Sequence, residues 1–240
     1  MKFPSIILRI TLWTIAALGL FSITPLTLSY WQYDGGKWYQ KNASEVNSID
    51  SLLVNAQSAD LDGDGHMECV MLSSDRAKIT NCDNQVLWQS PTGWLVKQVF
   101  ISDLNRDDEP EASLLVWRPF SSWPIDNFLP FGGRIKNFHN QQGLSCHLIL
   151  IGWNGKSYVE KWAGSALIRP VEQLYAVDLD SDGEQELVGL EGEYDSPMPG
   201  GTLTIWRWRG FGFVLEDETD CWFETIRITQ DDESYIVFAQ

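Results

Sequence analysis

Hydrophobic and polar positions alternate along the chain in short runs that are separated by clusters of Asp, Asn, Gly and Ser. Runs of this length, rich in Val, Ile and aromatic residues, predict β-strands. Twelve of the predicted strands fall into three groups of four. They are Leu52–Ala59, Cys69–Ser73, Ala77–Asn81 and Gln85–Trp88; Trp94–Ser102, Ala112–Trp117, Cys146–Trp153 and Ser157–Trp162; and Val171–Val177, Leu187–Glu191, Thr202–Trp208 and Gly212–Glu216.

A fourth group lacks two strands at the C-terminal end of the chain. Only Trp222–Thr229 and Tyr235–Ala239 remain there. The segment Ser29–Lys41 is similar to the predicted hairpin Leu150–Val159, since Asp-Gly and Asn-Gly are hairpin turns. We therefore predict that this N-terminal segment joins the C-terminal strands and removes the exposed edges of an open array. Five groups, or a partial array completed by a partner, are the alternatives.

Three acidic nine-residue loops recur along this pattern: loop 1 (Asp60–Glu68), loop 2 (Asp103–Glu111) and loop 3 (Asp178–Glu186). Each has an oxygen-bearing side chain at positions 1, 3, 5 and 9, and Ca²⁺ takes six to eight such ligands. An ordinary solvated turn explains one copy but not three at matching offsets. The candidate ligands are Asp60, Asp62, Asp64 and Glu68; Asp103, Asn105, Asp107 and Glu111; and Asp178, Asp180, Asp182 and Glu186.

Loop 2 departs most from the pattern. Asn105 replaces a carboxylate, and Asp108 stands where the other loops have a turn glycine, although Asn and Asp tolerate positive φ better than most residues. An EF-hand loop would need a Glu at position 12 and flanking helices. Position 12 is Met71, Leu114 and Gly189 in the three copies, and the flanks are predicted strands.

The succession strand, Asp-x-Asp-x-Asp-Gly-x-x-Glu, strand resembles the FG-GAP or VCBS-type repeat of integrin-like β-propellers. The resemblance implies an all-β fold, a β-propeller. With the grouping of strands above, this gives a small propeller of four blades, in which the N-terminal strands close the last blade. The resemblance also implies that each loop joins the first two strands of a blade and holds calcium, giving up to three structural Ca²⁺ ions. Such propellers serve in adhesion, in glycan recognition and as accessory domains of enzymes, so the resemblance leaves the partner open.

Composition limits the partners. The 240-residue chain has a formal net charge of −16, which argues against nucleic acid because phosphate binding uses clustered Lys and Arg. Three Ca²⁺ ions would bring the charge to −10. Four cysteines, Cys69, Cys82, Cys146 and Cys221, fit an oxidising compartment and allow three pairings. Cys69 and Cys82 could face each other on successive predicted strands; four buried thiols are the alternative.

Residues 1–28 read as a membrane-targeting segment in front of a propeller domain at 29–240. Lys2 and Arg9 precede an uncharged, mostly apolar stretch at 10–28, whose 19 residues form a predicted hydrophobic helix close to the length that spans a bilayer. An uncleaved signal anchor is favoured over a cleaved signal peptide. In both cases the positive-inside rule places the body outside the cytoplasm, in the periplasm or at the cell surface.

The interruption at 118–145 is the candidate partner surface. Long loops in compact domains are usually functional or disordered, and this one has more aromatic residues than disorder predicts. A structural flap that packs on its own blade is the alternative. The proposed ligand-binding residues are Trp123, Arg134, Lys136 and His139.

The sequence contains no convincing catalytic constellation. His139 and His147 have no accompanying nucleophile motif, and the carboxylates of Glu191, Glu193 and Asp195 read as a solvated loop as well as an acid and base pair. We therefore predict a binding module with an unknown protein or glycan partner. The alternatives are a glycan-active hydrolase or lyase with its site under the insertion, and an accessory subunit of a membrane complex.

Overall fold

The computed structural model describes residues 28–42, 44, 55–121, 138–231 and 234–240 of the chain. The regular structure of these residues is almost entirely β, which confirms the all-β prediction. The strands are β1 (Ser29–Asp34), β2 (Lys37–Lys41), β3 (Ser58–Ala59), β4 (Glu68–Ser73), β5 (Arg76–Thr80), β6 (Val86–Gln89), β7 (Leu95–Ser102), β8 (Glu111–Pro119), β9 (Leu144–Trp153), β10 (Tyr158–Ala163), β11 (Val171–Val177), β12 (Glu186–Glu191), β13 (Gly201–Trp208), β14 (Phe213–Phe223), β15 (Ile226–Asp231) and β16 (Ser234–Ala239).

The strands form four antiparallel sheets of four strands each. The first sheet is β3 to β6, the second β7 to β10 and the third β11 to β14. The closing sheet has the order β15-β16-β1-β2, so strands from the two ends of the described chain pair with each other. Ser29 lies opposite Ala239, and Tyr33 opposite Trp38 across the hairpin. This pairing confirms that the N-terminal segment completes the C-terminal sheet.

Alternating side chains of the second sheet are buried against different neighbours. Leu114 and Val116 belong to a core shared with the first sheet, whereas Leu115 between them belongs to a core shared with the third sheet. A further core, which includes Val177 and Val237, joins the third sheet to the closing sheet. Because successive side chains point to opposite faces, a strand buried on both faces needs a continuous apolar run, as β8 has.

The first strands of the second, third and closing sheets, together with the segment just before β3, line a polar cavity of about 520 Å³. Side-chain amides connect them: Gln98 on β7 donates to the carbonyl of Leu174 at 2.6 Å and accepts from its N–H at 3.0 Å. Gln173 on β11 accepts from the N–H of Ile226 at 2.8 Å. These contacts satisfy main-chain groups that face the centre, where no sheet ladder is available. The arrangement is compatible with a small propeller.

Two boundaries differ from the sequence prediction. The interruption predicted at 118–145 is shorter, since Arg118 pairs with Ser145 and Pro119 with Leu144 as β8 and β9 continue past their apolar runs. The strand predicted at Trp222–Thr229 begins later, because β14 continues through Trp222 to Phe223 and the main chain of Thr225 hydrogen-bonds Gln240 before β15 starts at Ile226.

Cys69 on β4 and Cys82 form a disulfide, which resolves the three pairings that the sequence left open. Their Cα atoms are 4.9 Å apart and the bridge spans 13 residues of sequence. The thiol of Cys146 is buried between the second and third sheets, and that of Cys221 is exposed. The disulfide ties the end of β5 to β4 in the first sheet.

We predict that replacing both bridge cysteines, Cys69→Ser with Cys82→Ser, lowers the free energy of unfolding by roughly 3 kcal/mol, because a loop of this length is no longer closed in the unfolded chain. Urea unfolding followed by Trp fluorescence measures the change. Dithiothreitol should lower the urea midpoint of the native chain but not that of the variant. The exposed Cys221→Ser is the control; equal midpoints for the native chain and the double variant would contradict the prediction.

Candidate metal centres

The three acidic loops connect the first and second strands of the first, second and third sheets, and they share one backbone conformation. The residues at positions 4 and 6 have positive φ in every copy. Asp108 at position 6 of loop 2 has φ 62°, so an aspartate adopts there the left-handed conformation that glycine adopts in the other loops. The residues concerned are Gly63, Gly65, Arg106, Asp108, Ser181 and Gly183.

The aspartate at position 1 organises each loop. Its carboxylate accepts two backbone N–H groups, one of them always from position 6: Gly65 in loop 1 at 2.9 Å, Asp108 in loop 2 at 3.0 Å and Gly183 in loop 3 at 2.9 Å. At position 5, each aspartate accepts from the N–H two residues further on, at 2.8 to 3.0 Å. These hydrogen bonds are made within each loop, so the loop's own backbone orients the carboxylates at positions 1 and 5.

Positions 2 and 9 anchor the loops in the core. The leucine at position 2 is buried in all three, at Leu61, Leu104 and Leu179. The glutamate at position 9 begins the second strand of its sheet and is buried as well, with exposures of 3% for Glu68, 1% for Glu111 and 0% for Glu186. Burying a carboxylate is costly unless a cation or hydrogen bonds compensate it.

Each loop gathers three carboxylates whose oxygens lie within 4.8 Å of one another, so each could hold a metal ion. The groups are Asp60, Asp62 and Glu68; Asp103, Asp107 and Glu111; and Asp178, Asp180 and Glu186. The predicted ligands Asp64 and Asp182 lie outside these groups. Asn105, the amide among the predicted ligands, donates to Glu111 at 2.5 Å and to Asp107 at 3.0 Å.

Loop 2, the weakest copy by sequence, has the clearest unmet need for a cation. Glu111 Oε2 is buried and has no hydrogen-bond partner among the described residues. Burial, reinforced by the charge of Asp107, raises the pKa of Glu111 to about 8. An orphaned carboxylate oxygen beside two further carboxylates fits a divalent cation with oxygen ligands.

In loop 1 the buried carboxylate of Glu68 likewise has no lysine or arginine partner in the described part of the chain. Glu68 Oε2 accepts from the N–H of Leu61 at 2.8 Å, and burial followed by the neighbouring aspartates raises its pKa. Asp64 contacts the exposed His66 at 3.1 Å. In the described part of the chain, no lysine or arginine forms an ion pair with a predicted ligand of loop 1 or of loop 2.

Loop 3 is different, because arginines contact its carboxylates. Arg207 on β13 pairs with Asp180, with Asp182 Oδ2 at 2.9 Å and with Glu186 Oε1 at 3.1 Å. Arg106 from loop 2 reaches Glu184, and its Nη2 lies 3.4 Å from Glu186 Oε1. Although burial alone would lower the pKa of Arg207, these carboxylates raise it above its ordinary value. Sequence reasoning missed both arginines; the signal for Arg207 was a lone cation between two tryptophans in a strand of an acidic chain.

A cleft of about 480 Å³ lies at the opposite end of the sheets from the loops, beside the interruption between β8 and β9. Trp117, Glu193 and Asp195 are among its lining residues. Asp195 accepts from the N–H of Gln141 at 3.0 Å and so connects the two rims. Glu191, the third carboxylate considered as an acid or base, is buried and pairs with Arg169 at 2.9 Å.

Of the predicted ligand-binding residues, only His139 falls within the described part of the chain. Its ring packs against Phe120 with centroids 5.2 Å apart, and its Nδ1 lies 2.8 Å from the carbonyl of Asn140. The other three, Trp123, Arg134 and Lys136, lie outside the described residues, as do residues 1–27 of the membrane-targeting segment predicted at 1–28. Among the residues that are described, no helix has the length and hydrophobicity needed to cross a membrane.

Comparison with known proteins gives no family for this chain. No protein-family model matches the sequence, and no curated protein matches it significantly.

His147 on β9 is buried and belongs to the packing rather than to an open site. Its Nε2 is 2.7 Å from the hydroxyl of Ser145, and its Nδ1 donates to the carbonyl of Gly164 at 2.9 Å. Both side chains are buried, and a carbonyl stands where a carboxylate would orient a catalytic histidine. Burial lowers the pKa of His147 to about 4.

We predict that His147 makes the protein less stable in mild acid. Between pH 6.5 and about 4 the unfolded chain protonates this imidazole and the folded chain does not, so the free energy of unfolding falls by roughly 3 kcal/mol as the pH decreases. His147→Asn keeps a donor for Gly164 and should flatten this part of the pH profile in chemical denaturation. The exposed His66→Asn is the control, and parallel profiles for the native chain and His147→Asn would contradict the prediction.

Proposed function

We propose that the protein is a calcium-stabilised β-propeller of the FG-GAP or VCBS type that serves as a binding module outside the cytoplasm. The cavity is lined by the first strands of three sheets and by the segment just before the first strand of the other, and the last sheet is built from both ends of the described chain; both observations support the radial arrangement. Three loops of one conformation, each between the first and second strands of its sheet, support the repeat. The orphaned oxygen of buried Glu111 is the observation that carries the metal-binding proposal.

Calcium is the cation that this donor set favours. Carboxylates and backbone carbonyls are hard ligands, and Ca²⁺ accepts them in irregular sets of six to eight, whereas Mg²⁺ demands a near-ideal octahedron. A bound ion would supply positive charge to carboxylates that otherwise repel one another. The chain has a net charge of −16, so a bound cation would also reduce the repulsion within it. The proposed role of the ion is structural, because each loop joins the first two strands of a sheet.

The cleft lined by Trp117, Glu193 and Asp195 is the proposed partner surface. It is concave, and it combines an aromatic side chain with polar groups, as binding sites commonly do. It also borders the interruption between β8 and β9, which contains the proposed ligand-binding residues. A protein or glycan partner fits this chemistry, and the apolar segment at 10–28 is the proposed membrane anchor.

We predict that calcium raises the melting temperature of the full chain relative to EDTA, and that magnesium at the same concentration raises it less. Each ion bound at a hundredfold excess over its Kd adds about 2.7 kcal/mol of stability. Asp60→Asn and Asp103→Asn, which remove the position-1 charge of loops 1 and 2, should each reduce the calcium-dependent shift in differential scanning calorimetry.

Asp83→Asn removes a charge from an exposed turn outside the loops and is the matched control. It should keep the whole calcium-dependent shift. A native chain whose melting temperature is the same in calcium and in EDTA would contradict the proposed metal binding.

A further inference from the structure

Loop 3 departs from the other two loops at position 3. In loops 1 and 2 the position-3 side chain, Asp62 or Asn105, accepts the backbone N–H of position 5 at 3.1 and 3.3 Å. Asp180 at the same position of loop 3 instead accepts a hydrogen bond from the guanidinium of Arg207. The position-3 carboxylate, a predicted metal ligand, therefore already has a cationic partner.

The same guanidinium contacts two more of the predicted ligand positions. Arg207 Nη1 donates to Asp182 Oδ2 at position 5, 2.9 Å away, and Nη2 lies 3.1 Å from Glu186 Oε1 at position 9. Arg207 is only 9% exposed, so it is an internal group of the protein. One guanidinium thus faces the carboxylates of positions 3, 5 and 9, with their negative charge directed at it.

We propose that Arg207 takes the place of the metal ion in loop 3, so that this loop is held by a guanidinium and metal ions bind only at loops 1 and 2. The inference rests on the proposed calcium binding of those two loops. A divalent ion at loop 3 would have to displace a buried arginine from three carboxylates. Displacement would leave Arg207 buried beside a second cation, which is unfavourable in both desolvation and repulsion.

Arg207 also extends the contacts of loop 3 to the closing sheet. Its Nε lies 3.2 Å from Glu216 Oε1 on β14, and Glu216 Oε2 accepts from the hydroxyl of Tyr33 on β1 at 2.5 Å. The adjacent Asp217 accepts from the N–H of Trp38 on β2 at 2.7 Å. A covalently attached cation remains in place at any calcium concentration. The junction between the third sheet and the closing sheet is therefore independent of metal.

Equivalent substitutions in two loops test the inference in the full chain. Asp62→Ala and Asp180→Ala remove the position-3 oxygen ligand from loop 1 and loop 3; alanine is used because loop 2 naturally has an asparagine, Asn105, at this position. Titration of calcium into EDTA-stripped, dialysed protein by isothermal calorimetry gives the number of ions bound. We expect two ions for the native chain, one for Asp62→Ala and two for Asp180→Ala.

Removing the guanidinium should create the missing site. Arg207→Met keeps a long, flexible side chain without charge, and we expect this variant to bind three ions. Arg209→Met is the matched control, since Arg209 is exposed and pairs only with Glu216 among these carboxylates; it should still bind two. If Arg207→Met does not fold, the comparison of Asp62→Ala with Asp180→Ala decides the question.

The outcomes separate the two proposals. Three ions in the native chain, the loss of one ion in Asp180→Ala, or no gain in a folded Arg207→Met would overturn the assignment of loop 3 while leaving calcium binding intact. A native chain that binds no calcium would contradict the proposed function and, with it, the contrast between the loops.

Discussion

In three of the four sheets a glutamate is buried at the start of the second strand, and the fold depends on how the charge of each of these carboxylates is neutralised. Glu68, Glu111 and Glu186 are almost inaccessible to solvent, and burial raises the pKa of all three. Each must be neutralised by a proton, a metal ion or a protein cation, because an isolated buried charge is too costly. The surrounding loop places further carboxylates beside each glutamate. Because one proton neutralises only one carboxylate, a divalent ion or a guanidinium that contacts several carboxylates is the better partner.

The three copies solve this problem to different degrees with protein groups alone. Glu186 has an arginine and a backbone N–H, and Glu68 has a backbone N–H. Glu111 has an asparagine amide on one oxygen, and its other oxygen has no hydrogen-bond partner among the described residues. The unmet charge is therefore greatest in loop 2, whose sequence matches the pattern least well. A departure from the sequence pattern is a poor guide to whether a loop could hold a cation, since an amide side chain offers an oxygen as well as a donor.

Much of the fold was predictable because its determinants are local. Strand periodicity predicted most of the strands, and the Asp-Gly hairpin predicted the partner strands for the closing sheet. The identical offsets of the three loops predicted their shared conformation, including positive φ at Asp108. Arg207 was not predictable in the same way, because its contacts with Asp180 and Asp182 span 27 and 25 residues of sequence and depend on how β13 lies beside β12. The end of β14 also escaped prediction, since the crossing to the next sheet depends on hydrogen bonds to Gln240.

The loops and the cleft lie at opposite ends of the same strands. This separation means that residues important for stability lie at one end and residues of the cleft surface at the other. At the loop end, local hydrogen bonds and buried leucines fix the backbone, so substitutions there act first on stability. At the cleft end, the pairing of β8 with β9 ends at Pro119 and Leu144, and Asp195 joins the rims by accepting one hydrogen bond from the N–H of Gln141. Changes in that region can alter the surface without disturbing the buried carboxylates at the loop end. This separation suits the proposed binding module, because partner contacts can vary only where the fold does not depend on them.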